Sequence, residues 1–518
     1  MNKLSHIFTG IKSNISSGIV VFLVALPLCL GIALASGAPP LSGIIAGIIG
    51  GIVIGALSNS HISVSGPAAG LAAIVLGAIT ELGSFQLFLV AGFIAGLIQL
   101  LLGIFRAGSI SNYFPNNIIE GMLAGIGIII FFKQIPLALG MSSAIDFSNL
   151  GGFVQQISPG VVIVTVVSLF ILILWDKVAF LKKLKMLPGA LVAVIVGIVL
   201  NQLFNGTSLH ISNDNLVVLP TPTTAEEFKS LIVFPDLAGF LNPKVWVLGA
   251  TIAIVASIES LLCIEAADRM DPHKRITDSN LELRAQGIGN IISSLIGGLP
   301  ITSVVVRSTA NVNAGATSKA SAIIHGVLLL ICVLSIPVLL NKIPLATLAA
   351  VLLIVGYKLA SPQKILHFWK KGKYQFIPFI ATVVAVVGLD LLKGVALGLV
   401  ISIFYILQGN MKRAYYLSRE DLEDADEIKI DLAEEVSFLN KAAIKKTLKN
   451  IKPNSTVTIN AKRTSYISED ILEMIEDFSN TRAKEDHIKV NLIGFKTSHK
   501  EYEAQPQTHI VIAHRRAI

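Results

Sequence analysis

Arg307 sits in Gly297–Ala316, GGLPITSVVVRSTANVNAGA, a stretch holding hydroxyls, asparagines, glycines and a proline between long apolar segments. Irregular polar backbone at membrane depth persists only where it is buried in protein or lines a cavity. An ionisable residue there marks a functional site. A guanidinium offers full charge and a planar donor fork suited to oxyanions. It could equally pair with a carboxylate or cap backbone carbonyls. The second anomaly is Glu259, within the nearly all-apolar run Val245–Leu262. A carboxylate there must be paired, hydrated or protonated. It could form a salt bridge to Arg307, carry a coupling proton or help bind Na+.

A second polar break resembles the first. His61–Gly66, HISVSG, is a short alternating run followed by Pro67 and an apolar half-helix. Ile301–Val306, ITSVVV, is a short run leading into Arg307, Ser308 and another half-helix. Paired interruptions in two halves of a chain indicate inverted repeats with a binding site between them. Helix N-termini expose unpaired N–H groups and about half a positive charge. Two of them meeting near mid-membrane form an anion site. Ser65 is expected as the N-cap of the first half-helix, with Pro67 in its first turn. Ala68, Ala69 and Gly70 are small enough to admit a ligand to the backbone. His61 and His325 are expected to be structural.

These segments need a membrane scaffold. The chain has 518 residues, of which 53% are hydrophobic and only 14% charged, against about 25% charged in soluble domains. No Asp, Glu, Lys or Arg occurs from Ser13 to Thr80. Apolar spans are predicted near 18–36, 40–57, 85–105, 116–139, 160–175, 188–204, 245–267, 281–297, 320–340, 344–359, 375–390 and 392–410, with half-helices near 66–80 and 307–317. With these fourteen elements, the basic clusters fall on one side. They comprise Lys3 and Lys12, Lys177–Lys185, Arg269–Arg284, Lys319, Lys358–Lys373, and Lys412 with Arg413. The positive-inside rule makes that side cytoplasmic, with both termini on it. The loop near 205–243 then faces outward. The net charge of +8 thus reflects membrane orientation, not a nucleic-acid partner. Cys29, Cys263 and Cys332 lie in apolar runs without metal or disulfide spacing. No cleavable signal peptide is expected.

After Arg413 the composition changes. Residues 425–495 read as a small soluble α/β unit, with strands at Glu427–Leu432, Val457–Ile459 and Ile488–Ile493 and helices at Lys441–Asn450 and Glu469–Phe478. The tail 496–518 is polar, basic and unassigned.

GGLPITSVVVRSTANVNAGATSKASAIIHG at 297–326 resembles the signature of the SulP family of sulfate permease-type anion transporters. So do VALPLCLGIALASGAPP at 24–40, SVSGPAAG at 63–70 and SIESLLCIEAAD at 257–268. The C-terminal unit resembles a STAS domain. The resemblance implies an α-helical polytopic protein with fourteen segments in a seven-plus-seven inverted repeat. It divides 13–411 into repeats 13–204 and 244–411 and implies elevator-like movement and homodimers. By position it assigns Ser65, Gly66, Ala68, Thr302, Ser303 and Arg307 to the anion site and Glu259 to the coupling ion; Ser308, next to Arg307, is expected to join the anion site. The wording is most similar to the branch of bicarbonate transporters and proteins associated with carbonic anhydrase. Sodium-dependent members carry Asp where Glu259 stands, which leaves Na+ or H+ open. NAKRTSYISED after Val457–Ile459 departs from the Asp-x-Ser phosphoacceptor pattern, although Ser465 and Ser468 lie nearby.

The expectation is therefore a secondary active transporter in a bacterial inner membrane. It carries bicarbonate first and sulfate second, with the bilayer as partner and no cofactor beyond coupling Na+ or H+. A nucleobase permease of the same fold would use acidic residues in both core segments and lack a STAS unit. A passive channel would show non-saturating flux. No nucleophile–base pair suggests an enzyme.

Overall fold

The computed structural model describes residues 11–109, 115–141, 157–182, 187–221, 232–389, 391–411, 415–421 and 426–495. It divides into two compact units, Met1–Leu399 and Val400–Ile518.

The first unit is built from α1 (Ile11–Ala35), α2 (Pro40–Leu57), α3 (Ala69–Leu82), α4 (Phe85–Ile104), α5 (Asn116–Leu139), α6 (Pro159–Lys177) and α7 (Gly189–Phe204). Its second half runs through α8 (Pro243–Met270), α9 (Ser279–Leu295), α10 (Val305–Asn313), α11 (Ala320–Ser335), α12 (Leu345–Leu359), α13 (Lys373–Gly388) and α14 (Leu391–Met411), whose later part enters the second unit. Seven helices among the described residues are long and apolar enough to cross a membrane. The others are shorter, and α10 is a 9-residue half-helix. The fourteen predicted segments are all present.

Packing follows the inverted repeat. Across the two halves α1 packs on α11, as α8 packs on α4. Likewise α2 packs on α11 as α9 does on α4, and α1 touches α10 as α8 touches α3. Lipid gives helices no hydrophobic reason to associate, so close approach at small residues supplies the attraction. A Cβ on Gly96 of α4 would lie 2.8 Å from the Gly287 carbonyl oxygen of α9, so neither position tolerates a side chain.

Between the helices lies a two-stranded antiparallel ribbon. β1 (Ser65–Pro67) pairs with β2 (Ile301–Ser303) in the register Ser65 to Ser303, Gly66 to Thr302 and Pro67 to Ile301. Sequence pattern revealed two short strands but not that they pair with each other. α2 reaches the ribbon through a π-helical turn at Gly50–Ile54, and a Cβ on Gly50 would meet the Ser65 backbone. β1 leads into α3 and β2 into α10. The N-cap of α3 is Ala68, and both Ser65 and Pro67 belong to the strand. The expected Ser65 cap fails because pairing with β2 holds Ser65 extended, three residues ahead of the N-cap Ala68.

Several basic residues of the first unit satisfy helix ends. Lys319 Nζ donates to the Ala56 and Ser58 carbonyls at 2.9 and 3.0 Å, where α2 ends. Arg284 Nε donates to the Gly103 carbonyl at 3.0 Å, near the end of α4. Both neutralise the partial negative charge of unpaired carbonyls. Arg275 grips Asp271 in a fork, Nε to Oδ2 at 2.7 Å and Nη2 to Oδ1 at 3.0 Å, and also donates to the Thr317 carbonyl.

In the second unit, β3 (Tyr415–Asp421), β4 (Asp426–Leu432), β6 (Thr456–Asn460) and β8 (Lys489–Ile493) form a sheet in that order. β3 is antiparallel to β4, and the other pairings are parallel. Two-residue strands β5 (Glu435–Val436) and β7 (Tyr466–Ile467) form a separate pair. Helices α15 (Lys441–Lys449) and α16 (Glu469–Asp477) connect the parallel strands, and Ile428, Ile430, Val457, Ile459, Ile444 and Ile471 share one buried core. The alternating α/β reading holds, and β3 adds a strand ahead of the expected start at 425. Lys412, Arg413 and the tail 496–518 lie outside the described residues.

Candidate functional site

The ribbon fixes where the two half-helices begin. β1 and β2 run antiparallel, so α3 and α10 leave from its two ends with their N-termini directed toward it. Val304, the N-cap of α10, donates its N–H to the Val64 carbonyl at 3.0 Å. Ala68, the N-cap of α3, is four residues further along β1, roughly 13 Å in extended chain. Neither N-terminus receives a side-chain cap. Two unmasked helix ends therefore direct about half a positive charge each toward one region, bordered by the small residues Gly66, Ala68 and Gly70.

Arg307 lies in the first turn of α10 and is 0% exposed. Its Nη2 donates to Cys29 Sγ of α1 at 3.3 Å, while Nε and Nη1 have no hydrogen-bond partner. A buried charge with unused donors is expensive unless something fills them. The guanidinium lies over Gly66, where any Cβ would collide with it. Glycine at 66 is thus the condition for the arginine to reach this place.

Glu259 of α8 approaches from the other helix pair. A Cβ on Gly70, in the first turn of α3, would lie 2.7 Å from its Oε1. Oε2 is enclosed without a hydrogen-bond partner. Among the described residues no ion pair joins Glu259 to Arg307, so the salt bridge considered from sequence is not formed. One side of the region holds an unsatisfied cation against Gly66, and the other an unsatisfied carboxylate against Gly70.

The hydroxyls of the region are already engaged. Ser65 and Ser303 face each other in register and present their side chains to α9. Ser65 Oγ accepts from Gln286 Nε2 at 2.9 Å, and Ser303 Oγ donates to Glu282 Oε1 at 2.9 Å. Thr302 Oγ1 donates to the Ser303 carbonyl at 3.2 Å. Ser308 Oγ donates to the Val304 carbonyl at 2.9 Å and accepts from the Val64 N–H at 3.1 Å, stapling β1 to α10. The structure brings all eight sequence-derived residues to one ribbon. The charged groups there with atoms lacking a protein partner are Arg307 and Glu259.

Sequence reasoning missed Cys29, Glu282, Gln286 and Ser63. Glu282 is buried and also accepts from Ser58 Oγ and from Gln286 Nε2, the latter at 2.8 Å. Ser63 Oγ donates to Ser303 Oγ at 3.0 Å. A signal was available in the row Glu282, Gln286, Asn290: polar residues spaced i, i+4, i+8 within an apolar span lie on one helix face. Cys29 carried no such signal.

Comparison with known proteins adds the following. The profile described as the sulfate permease family matches residues 11–382. YvdB of Bacillus subtilis, named for sulfate transport, is 30% identical over 404 residues, covering 77% of this chain and 74% of its own. The bicarbonate transporter BicA of a Synechocystis species is 25% identical over 451 residues, covering 84% and 76%. Among solved structures, the transmembrane domain of a cyanobacterial BicA matches with a TM-score of 0.64 at 24% identity, covering 75% of this chain and 98% of that one. The murine Solute Carrier 26 family member A9 anion transporter, inward-facing, matches with a TM-score of 0.72 at 15% identity, covering 94% and 86%. These structural matches show that distant chains share the fold.

Proposed function

The chain belongs to the sulfate permease family, and from that premise we propose that it carries a small inorganic oxyanion, bicarbonate ahead of sulfate, by secondary active transport. The observation that carries this reading is Arg307. It is wholly enclosed, has two nitrogens unpaired, and stands where two uncapped helix N-termini converge. An oxyanion supplies what that arrangement lacks: negative charge and several acceptors.

Charge count favours a monovalent cargo. One enclosed guanidinium faces one carboxylate, Glu259. With the charge of Glu259 neutralised by a cation, a monovalent anion balances Arg307, whereas a divalent one would leave the region net negative at low dielectric, where like charges are costly. Engagement of Na+ or H+ by Glu259 removes its charge and makes anion binding favourable. That coupling of occupancies is what a symporter requires.

The proposed cycle has the anion enter from outside and settle between the N-termini of α3 and α10. A cation engages Glu259. The part of the first unit bearing the ribbon then moves, elevator-like, against the remainder and releases both inside. We further propose that the protein is a homodimer of the bacterial inner membrane with both termini cytoplasmic. Its second unit is a STAS domain, and bicarbonate cargo would link it functionally to carbonic anhydrase. The test is isotopic uptake by the full chain in proteoliposomes, using bicarbonate, sulfate and a dicarboxylate, with and without Na+ and pH gradients. Saturable bicarbonate uptake driven by one of the gradients is expected. Non-saturating flux would favour a channel and overturn symport.

A further inference from the structure

α9 presents a polar row, Glu282, Gln286 and Asn290, to the ribbon, and all three are buried. Asn290 Nδ2 donates to the Ile301 carbonyl at 3.0 Å and its Oδ1 accepts from the Ile301 N–H at 2.6 Å, clamping the backbone of β2. The same Nδ2 donates to Gln99 Oε1 of α4 at 2.6 Å. Gln286 Nε2 reaches Ser65 of β1 at 2.9 Å, Ser303 of β2 at 3.3 Å and Glu282 Oε1 at 2.8 Å. Its orientation is fixed chemically, because an amide oxygen turned toward Glu282 would oppose a carboxylate oxygen. Glu282 in turn accepts from Ser303 and from Ser58, where α2 ends.

Counting protons assigns the hydroxyl roles. The Ser303 proton goes to Glu282, and its lone pairs face the Ser63 hydroxyl at 3.0 Å. Ser65 takes a proton from Gln286. These side chains point to α9, whereas Gly66, the next residue of β1 and paired with Thr302, faces Arg307. Successive strand residues face opposite sides, so the ribbon has an α9 face and an arginine face.

We propose that Glu282 and Gln286 are positioning residues of the anion site, and that Ser65 and Ser303 serve as struts to α9 rather than as anion ligands. The inference rests on the oxyanion-transport reading above. α9 sets the placement of both strands, and so the separation of the two helix N-termini and the place of Gly66 under Arg307. Gln286 Oε1 and Gln99 Nε2 have no partner, but the donors of Gln286 and Asn290 tie both strands to α9, and loss of one member of such a network loosens the rest.

The test is a cycle in the full chain, in proteoliposomes, with the anion that the wild type takes up saturably. Gln286→Met keeps approximate volume and removes the donor. Its KM is expected to rise about 10-fold, the scale of one lost buried hydrogen bond, with maximal rate changed less and the unfolding midpoint retained. Ser65→Ala alone is expected to raise KM more modestly. The double variant is expected to match Gln286→Met, because the strut is already cut. If the two KM effects multiply, Ser65 contacts the anion itself and the inference is overturned. An unchanged KM in folded Gln286→Met also overturns it. Should Gln286→Met fail to fold, Glu282→Gln paired with Ser303→Ala supplies the same cycle with the shape of the side chain conserved. Absence of saturable uptake in the wild type would instead refute the transport reading, which separates the two failures.

Discussion

The sharpest consequence of the site concerns one methyl group. Gly66→Ala would place a Cβ in hard overlap with Arg307 Nη1 and 2.8 Å from its Cζ, whereas non-bonded carbon contacts settle near about 3.5–4.0 Å. The guanidinium must withdraw by about 1.5 Å. For an anion about 5 Å away, at an effective dielectric of about 20, its pull is about 3.3 kcal/mol, falling to about 2.6 at about 6.5 Å. The difference of about 0.8 kcal/mol is about a 4-fold rise in KM. Removing the charge with Arg307→Ala forfeits the whole term, on the order of 200-fold. Overpacking adds a stability cost of about 1–3 kcal/mol. Concentration-dependent isotopic uptake in proteoliposomes, with the thermal midpoint of each purified variant, reads both effects. The reasoning is refuted if folded Gly66→Ala weakens the anion as much as Arg307→Ala, or if neither moves KM.

Further outcomes follow from the same geometry. Glu259→Gln is expected to abolish acceleration by an imposed Na+ or H+ gradient while leaving anion exchange measurable; uptake still driven by the gradient would remove Glu259 from coupling. At Asp271, just past the end of α8, burial works to raise the carboxyl pKa, but hydrogen bonds from the Arg275 side chain and the His273 N–H outweigh it and hold the pKa down at about 2. Such a depressed group stabilises the fold above its unfolded value of about 4, and that stability is lost as pH falls through the folded value. The thermal midpoint should drop across that acid window, and Asp271→Asn should flatten the drop; an equal acid response in the variant would contradict the assignment. Gly96→Leu drives a side chain into the Gly287 backbone and is expected to destabilise by about 3 kcal/mol or more. Undiminished thermal stability would contradict the close helix approach.

Much of the scaffold is legible in the chain because lipid imposes a simple pattern. α5 falls where 116–139 was predicted, and α4 ends at Ile104 against a predicted 105. Apolar length and the spacing of basic residues suffice for such elements. Arg307 and Glu259 are legible because charge in an apolar run is conspicuous. The Ser65 assignment shows the limit. Locally, Ser-Gly-Pro before an apolar helix reads as a cap, and only pairing with Ser303, 238 positions away, makes it a strand residue. Cys29 is similar: a packed apolar cysteine by sequence, it receives a donor from Arg307 of α10. Gln286 looks like an ordinary polar residue until the ribbon is placed beside it. Nonlocal contacts of this kind leave no periodicity to read.

The central claim is that an oxyanion rests beside Arg307 between the N-termini of α3 and α10. Solid-state NMR on the full chain in lipid tests it most directly, with carbon-labelled bicarbonate and nitrogen-labelled arginine. Dipolar dephasing of the bound bicarbonate carbon by a guanidinium nitrogen is expected, and its loss in Arg307→Lys. Saturably bound bicarbonate with no dephasing, or dephasing that persists in Arg307→Lys, would contradict the account.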